Sequence, residues 1–293
     1  MKLSIVTINY NNEEGLRKTL ASVASQTYRN IEHIIIDGGS SDGSVNVIRE
    51  YESANSLNVN SLIVKWTSEK DNGIYNAMNK GIRRATGDYV QILNSGDVLA
   101  APDVTERMMD ALQLKIEDCR LKNKDGVGIM YGNMLRDFGN GKVQRDTTKA
   151  DGGAREVEWT MYDFIKGTVN HDPTYMRRDL YEKYGLYDEN LKICSDWKWF
   201  LKAVVFGGEK LYYVPIDVTI FDTTGISETN LAFREQERHA ELEKLLPEAI
   251  LKDYDTWHFP IDQVKRLKKY HMWGFVYFTE RVLFKLEKWR ILR

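Results

Sequence analysis

The sequence predicts an α/β fold with a mostly parallel central sheet and a helical C-terminal extension. Three observations carry this. Short β-branched runs alternate with helical periodicity through the first hundred residues, most of these runs stop at Asp, Asn or Gly, and from about residue 231 only helical patterning remains. Strands separated by single helices at this spacing imply right-handed βαβ units and a sheet buried on both faces.

The elements follow in order. Leu3–Ile8 is a strand, and Leu16, Leu20 and Val23 then recur on one helical face. Ile31–Asp37 is a second strand, stopped by Gly38-Gly39-Ser40-Ser41-Asp42-Gly43. Val47, Ile48 and Tyr51 suit the next helix, Leu62–Trp66 a third strand, 76–84 a helix, and Tyr89–Leu93 a fourth strand. After a helix over 104–116, residues 127–160 carry short strand signals among glycines, as antiparallel additions or long loops. Residues 178–206 read as helix, followed by two strands, Leu211–Val214 and 218–221. The predicted organisation is a body over 1–228, with a nucleotide-binding half at 1–100 and an acceptor half at 101–228, and a helical extension over 229–293.

Composition narrows the function classes. The 293 residues hold 41 Lys+Arg against 43 Asp+Glu, a net charge of −2, which argues against bulk nucleic-acid binding. Two cysteines exclude a disulfide scaffold, and Cys119 and Cys194 stand too far apart for a CxxC pair. No apolar run reaches a membrane span, and the first residues lack a signal-peptide pattern, so a cytoplasmic protein is expected.

In open α/β sheets ligands bind at the carboxyl ends of the strands. Here those ends carry Thr7 and Asn9, then Asp37, then Glu69-Lys70-Asp71, then Asn94-Ser95-Gly96-Asp97. A carboxylate at such an edge can accept from a nucleobase N–H or bind a hard divalent cation. Mg²⁺ is commonly held by one or two carboxylates, with phosphate oxygens completing its shell, which makes a nucleoside diphosphate a plausible ligand. The plainer reading is that Asp, Asn and Gly simply end strands and open turns. Competing nucleotide motifs fail: there is no G-x-G-x-x-G, no P-loop and no H-E-x-x-H.

Read together, Ser4–Asn11, Asp37–Gly43, Ser68–Gly81, Ala85–Tyr89 and Leu93–Asp97 resemble family 2 glycosyltransferases, most of all bacterial enzymes that build surface polysaccharides. A weaker match runs on through His171-Asp172-Pro173, Gly185–Asp188, Ser195-Asp196-Trp197 and Gly225-Ile226-Ser227. The resemblance implies a GT-A (nucleotide-diphospho-sugar transferase, Rossmann-like) fold and an inverting, metal-assisted transfer from a nucleotide-sugar, with a UDP-sugar the expected donor. It implies that Asp37 reads the base, with Asp71 a second acid of the nucleotide pocket. It places Asn94, Ser95 and Asp97 where the family carries its acidic metal element, with Asp97 the one carboxylate left to hold Mg²⁺ or Mn²⁺. It makes Asp196 the general base; on residue chemistry alone Asp196 is equally a helix cap. His171 and Trp199 are candidates for the acceptor or phosphate side, against a polar turn before Pro173 and a core tryptophan respectively.

Residues 257–293 hold nine Lys or Arg against three acids, so the rest of the chain carries −8. Phe275, Phe278, Val282, Leu286 and Trp289 recur at helical spacing beside Arg281, Lys285 and Lys288. Such a helix suits the inner face of an anionic membrane, or docks on the domain or on a second copy of the chain. The expected function is transfer of a sugar to a glycan or lipid-linked glycan hydroxyl. The rivals are a non-catalytic nucleotide-sugar binder and a nucleotidyltransferase.

Overall fold

The computed structural model describes residues 1–56, 62–121, 126–138, 143–146, 153–254, 256, 269–270, 274, 277–279 and 281–285. It divides into two compact units, 1–238 and 239–293. The first unit runs β1 (Leu3–Asn9), α1 (Glu13–Ala24), β2 (Ile31–Asp37), α2 (Ser44–Ser56), β3 (Ile63–Ser68), α3 (Ile74–Arg84), β4 (Tyr89–Ile92), β5 (Val98–Leu99) and α4 (Val104–Leu121). It continues with β6 (Ile129–Asp137), β7 (Val143–Asp146), β8 (Arg155–Val157), α5 (Met161–Lys166), β9 (Thr174–Arg177), α6 (Asp179–Tyr184), α7 (Ser195–Leu201) with a π-helical turn (Lys202–Phe206), β10 (Leu211–Asp222) and α8 (Ile226–Thr229). The next helix, α9 (Leu231–Leu245), begins in the first unit and ends in the second, and described residues beyond it, such as 248–254 and 281–285, are helical as well. Much of the basic aromatic row expected near the C-terminus, including Phe275, Leu286, Lys288 and Trp289, lies outside the described residues. Among the described residues no helix is long and apolar enough to cross a membrane.

One ten-stranded sheet has the order β3-β2-β1-β4-β9-β6-β10-β5, with β7 on β6 and β8 on β10. The half β3-β2-β1-β4 is parallel, so the carboxyl ends of these strands share one edge, with Asn9 beside Asp37 and Asp37 beside Ser68. β1 and β2 are buried at every residue, which explains their unbroken apolar runs. At the opposite end of the strands, buried Glu32 accepts from Ser4 Oγ, the Thr86 and Gly87 N–H groups, and the ammonium groups of Lys2 and Lys65. Burial pushes its carboxyl up, but these donors hold it well below the usual carboxylate range. The helix α3 lies directly on β1 because position 81 is glycine: a Cβ there would stand 2.2 Å from Val6 Cγ1.

The second half departs from the expected pattern in three places. β9 inserts antiparallel between β4 and β6. The two strands expected at 211–221 are one strand, β10, whose register against β6 shifts between Tyr213 and Thr219. Pro215, which has no N–H to donate, sits in that irregular stretch. The helix expected over 178–206 is two helices, because Gly185 at φ +85° ends α6 and an irregular segment leads to α7.

Candidate active site

The carboxyl edge of the sheet opens into a cavity of about 1100 Å³, a size that suits a nucleotide-sugar. Asn9, Gly38, Gly39 and Asp71 line one end, Asn94, Ser95, Asp97 and Asp222 the middle, and His171, Asp172, Asp196 and Trp197 the far side. All of these belong to the first unit.

At the nucleotide end, Asp37 does not line the cavity. Its Oδ1 accepts from Asn9 Nδ2 (2.8 Å) and Ser40 Oγ (2.6 Å), and its Oδ2 from the Ser40 N–H (3.0 Å) and Ser68 Oγ (2.6 Å). Burial raises this carboxyl, and the four donors outweigh burial to hold it below its ordinary value. The groups that face the cavity are Asp71, paired to Lys80 Nζ at 2.6 Å, and Asn9, whose buried Oδ1 has no hydrogen-bond donor among the described residues. Thr7 is a correction. The sequence placed it at a strand end, but β1 runs two residues further, and the Thr7 hydroxyl meets His33 Nε2 at 2.9 Å inside the core.

The loop from Asn94 to Asp97 is held by α1. Thr19 Oγ1 donates to the Asp97 carbonyl (2.7 Å) and receives the Gly96 N–H (3.0 Å), while Asn12 Nδ2 donates to the Ser95 carbonyl (3.1 Å). Gly96 is required at its position: φ is +109°, and a Cβ would stand 3.1 Å from Asp222 Oδ2. Asp97 is 3% exposed, and its Oδ1 accepts the Asp222 N–H at 2.9 Å. Burial, then the charges of Asp172 and Asp222, push the Asp97 carboxyl well above the ordinary range. Among the described residues no three His, Cys, Asp or Glu side chains form a ready-made metal cage. The oxygen donors at Asp97 nonetheless fit a hard divalent ion. A buried carboxyl crowded by neighbouring carboxylates, as Asp97 is by Asp172 and Asp222, is relieved by a cation, and a diphosphate can complete the cation's shell.

Asp196 is held from both sides. The Tyr75 hydroxyl donates to Oδ1 at 3.0 Å, and His171 Nδ1 lies 3.0 Å from Oδ2. Burial pushes the Asp196 carboxyl up, but the His171 hydrogen bond and charge, the Trp197 N–H and Tyr75 bring it below its ordinary value. For His171, burial opposes the charged form, yet Asp172 and Asp196 push its pKa up to about 9. A third carboxylate secures the loop ahead of the base. Glu237 on α9 accepts the N–H groups of Lys192 (2.6 Å), Ile193 (2.8 Å) and Cys194 (3.0 Å), and its neighbour Arg238 lies over the Trp197 ring. Sequence reasoning missed Glu237 and Asp222, and it met Asp172 only within the His171-Asp172-Pro173 motif. It weighed Trp199 for the acceptor side against a place in the core, and the structure favours the core: Trp199 is 3% exposed, packs among Tyr181, Tyr184 and Tyr187, and donates to the Gly185 carbonyl.

A parallel half-sheet with an acidic carboxyl edge, continued by a mixed half that brings Asp172, Asp196 and Asp222 to the same cavity, matches the architecture of GT-A glycosyltransferases. The chain belongs to glycosyl transferase family 2, whose model matches residues 4–184. An uncharacterized glycosyltransferase of Mycobacterium tuberculosis is 30% identical over 256 residues, covering 84% of this chain and 85% of that protein. A PGL/p-HBAD biosynthesis glycosyltransferase of Mycobacterium bovis is 25% identical, covering 68% of each. Among solved structures, S. aureus TarS superposes with a TM-score of 0.61 at 18% identity over 85% of this chain, which spans 41% of TarS. The TarS 1-349 complex with UDP-GlcNAc gives 0.59 at 19% identity, covering 76% of this chain and 58% of that one. The Pyrobaculum calidifontis mannosyltransferase PcManGT, in complex with GDP-Man and Mn²⁺, gives 0.58 at 15% identity, covering 83% and 64%.

Proposed function

We propose that this glycosyltransferase moves one sugar from a nucleotide diphosphate donor, a UDP-sugar, to a hydroxyl of a glycan or lipid-linked glycan, with inversion at the anomeric carbon, in surface polysaccharide synthesis. The observation that carries this reading is the placement of Asp196. Its carboxylate is sheltered, oriented by Tyr75 and His171, held ionised, and shares one cavity with Asp97 and Asp71. An inverting displacement needs one such base.

The acceptor hydroxyl gives its proton to Asp196 as its oxygen bonds to the anomeric carbon, and the bond from that carbon to the diphosphate oxygen breaks with its electrons on the diphosphate. Asp196 also offsets the positive charge of the oxocarbenium-like state. Asp97, with Asp222 beside it, would hold Mg²⁺ or Mn²⁺, which supplies Lewis-acid neutralisation of the leaving diphosphate. At the other end Asn9 and the Asp71 carboxylate line the cavity where nucleobase and ribose would lie, and Asp37 acts behind them by fixing the turn at Gly38–Ser40.

The stereochemical outcome tests the reaction class. Proton NMR of the sugar formed from an α-linked UDP-sugar, in transfer or in slow hydrolysis, should show the β anomer first. First appearance of the α anomer contradicts a single displacement with Asp196 as base.

A further inference from the structure

His171 stands between two carboxylates. Its Nδ1 lies 3.0 Å from Asp196 Oδ2, and its Nε2 lies 3.3 Å from Asp172 Oδ1 and 3.3 Å from Asn94 Nδ2. One ring therefore joins the proposed base to the strand-end loop that carries Asp97. The contact is sheltered, with both His171 and Asp196 side chains 14% exposed, so the protein rather than water sets the orientation of the carboxylate. The Asn94 amide serves either state of the ring. It donates from Nδ2 to a neutral imidazole; turned over, it accepts from an imidazolium at Oδ1, an atom that otherwise has no hydrogen-bond partner.

We propose that His171 is a positioning residue for Asp196: it aligns the carboxylate on the acceptor hydroxyl and ties the base to Asn94 and Asp172 on the donor side. The proposal rests on Asp196 being the base. The groups that face Asp196 are Tyr75 and Tyr187, Cys194, His171 and, from α9, Arg238. Of the two cations, His171 is the one hydrogen-bonded to the carboxylate. Without the ring, burial acts on Asp196 less opposed, and its pKa rises.

The test compares His171→Ala, His171→Asn and Asp196→Asn in the full chain, with the melting shift caused by UDP as the check on fold and donor binding. His171→Ala is expected to lower kcat roughly 10–100-fold, the usual scale for loss of a residue that orients a functional ligand. Donor KM should stay unchanged, and the acid limb of the kcat profile should move to higher pH. His171→Asn, whose amide N–H₂ reaches the place of Nδ1, should recover most of the lost kcat. Wild-type kcat and an unmoved acid limb in His171→Ala overturn the proposal; if Asp196→Asn is then inactive, the base assignment survives. Loss of the UDP shift in His171→Ala without recovery in His171→Asn also overturns it, because His171 would then act on the donor or on the fold. An active Asp196→Asn variant removes the base assignment itself.

Discussion

Asp196→Asn is expected to lower kcat by about 10²–10⁴-fold, the range a positioned general base contributes, while UDP binding and melting temperature stay close to wild type. The substitution keeps the shape of the side chain. The Tyr75 hydroxyl can still donate to the amide oxygen, so the packing around α7 is kept while the charge pairing with His171 goes. What is lost is the ability to take a proton. At about 1.4 kcal/mol per factor of ten, the effect is roughly 3–5 kcal/mol of transition-state stabilisation with little counterpart in the ground state. The measurement is turnover by UDP release, paired with the melting shift on adding UDP. Turnover near wild type would remove Asp196 from the chemistry and leave the fold with a binding role.

Asp97→Asn should abolish metal-stimulated turnover without weakening the unliganded protein. Burial and the charges of Asp172 and Asp222 raise the Asp97 pKa in the folded state above its unfolded value. A carboxyl shifted in that direction favours the folded state while protonated. That contribution is lost as pH rises from the unfolded pKa towards the folded one. At pH 7, without metal, the asparagine variant should therefore melt at or above wild type. With Mn²⁺ and UDP the order reverses, because wild type alone gains from the cation. Melting curves with and without Mn²⁺ decide the matter. An undiminished Mn²⁺ shift in Asp97→Asn would place the cation on other residues.

The parallel half of the fold was legible because β1, β2 and β4 are buried at every residue. Continuous apolar runs such as Ile31–Asp37 leave little choice of structure, and the polar residues that stop them mark the ligand edge. What could not be read was which way a polar side chain points. Thr7 and Asn9 are two residues apart at the end of one strand; Asn9 reaches the cavity while the Thr7 hydroxyl meets His33. Asp37 looks free in the sequence, and the four donors that occupy it come from three separate segments. Trp199 lies three residues after Asp196, but its ring is taken by a tyrosine cluster contributed largely by α6.

The mixed half hid more. His171 and Asp196 are separated by 25 residues, and they meet only because β9 inserts antiparallel beside β4. Glu237 lies more than forty residues beyond the loop it holds, on a helix whose pattern is otherwise that of an ordinary solvated surface. His171 and Asp196 each fall in a motif, but nothing in the sequence says that they touch, and Glu237 carries no motif at all. Pro215 was visible, but an irregular strand that recovers its register and two separate strands give the same apolar pattern.

The central claim is that the cavity between Asn9 and Asp196 holds a nucleotide-sugar with a divalent ion. A thermal-shift panel of UDP-, GDP- and dTDP-sugars, each with and without Mn²⁺, tests it most directly. A UDP-sugar at about 100 times its Kd should stabilise the protein by roughly 2.7 kcal/mol, with a larger shift when Mn²⁺ is present. No shift with any donor, in either condition, would contradict the account.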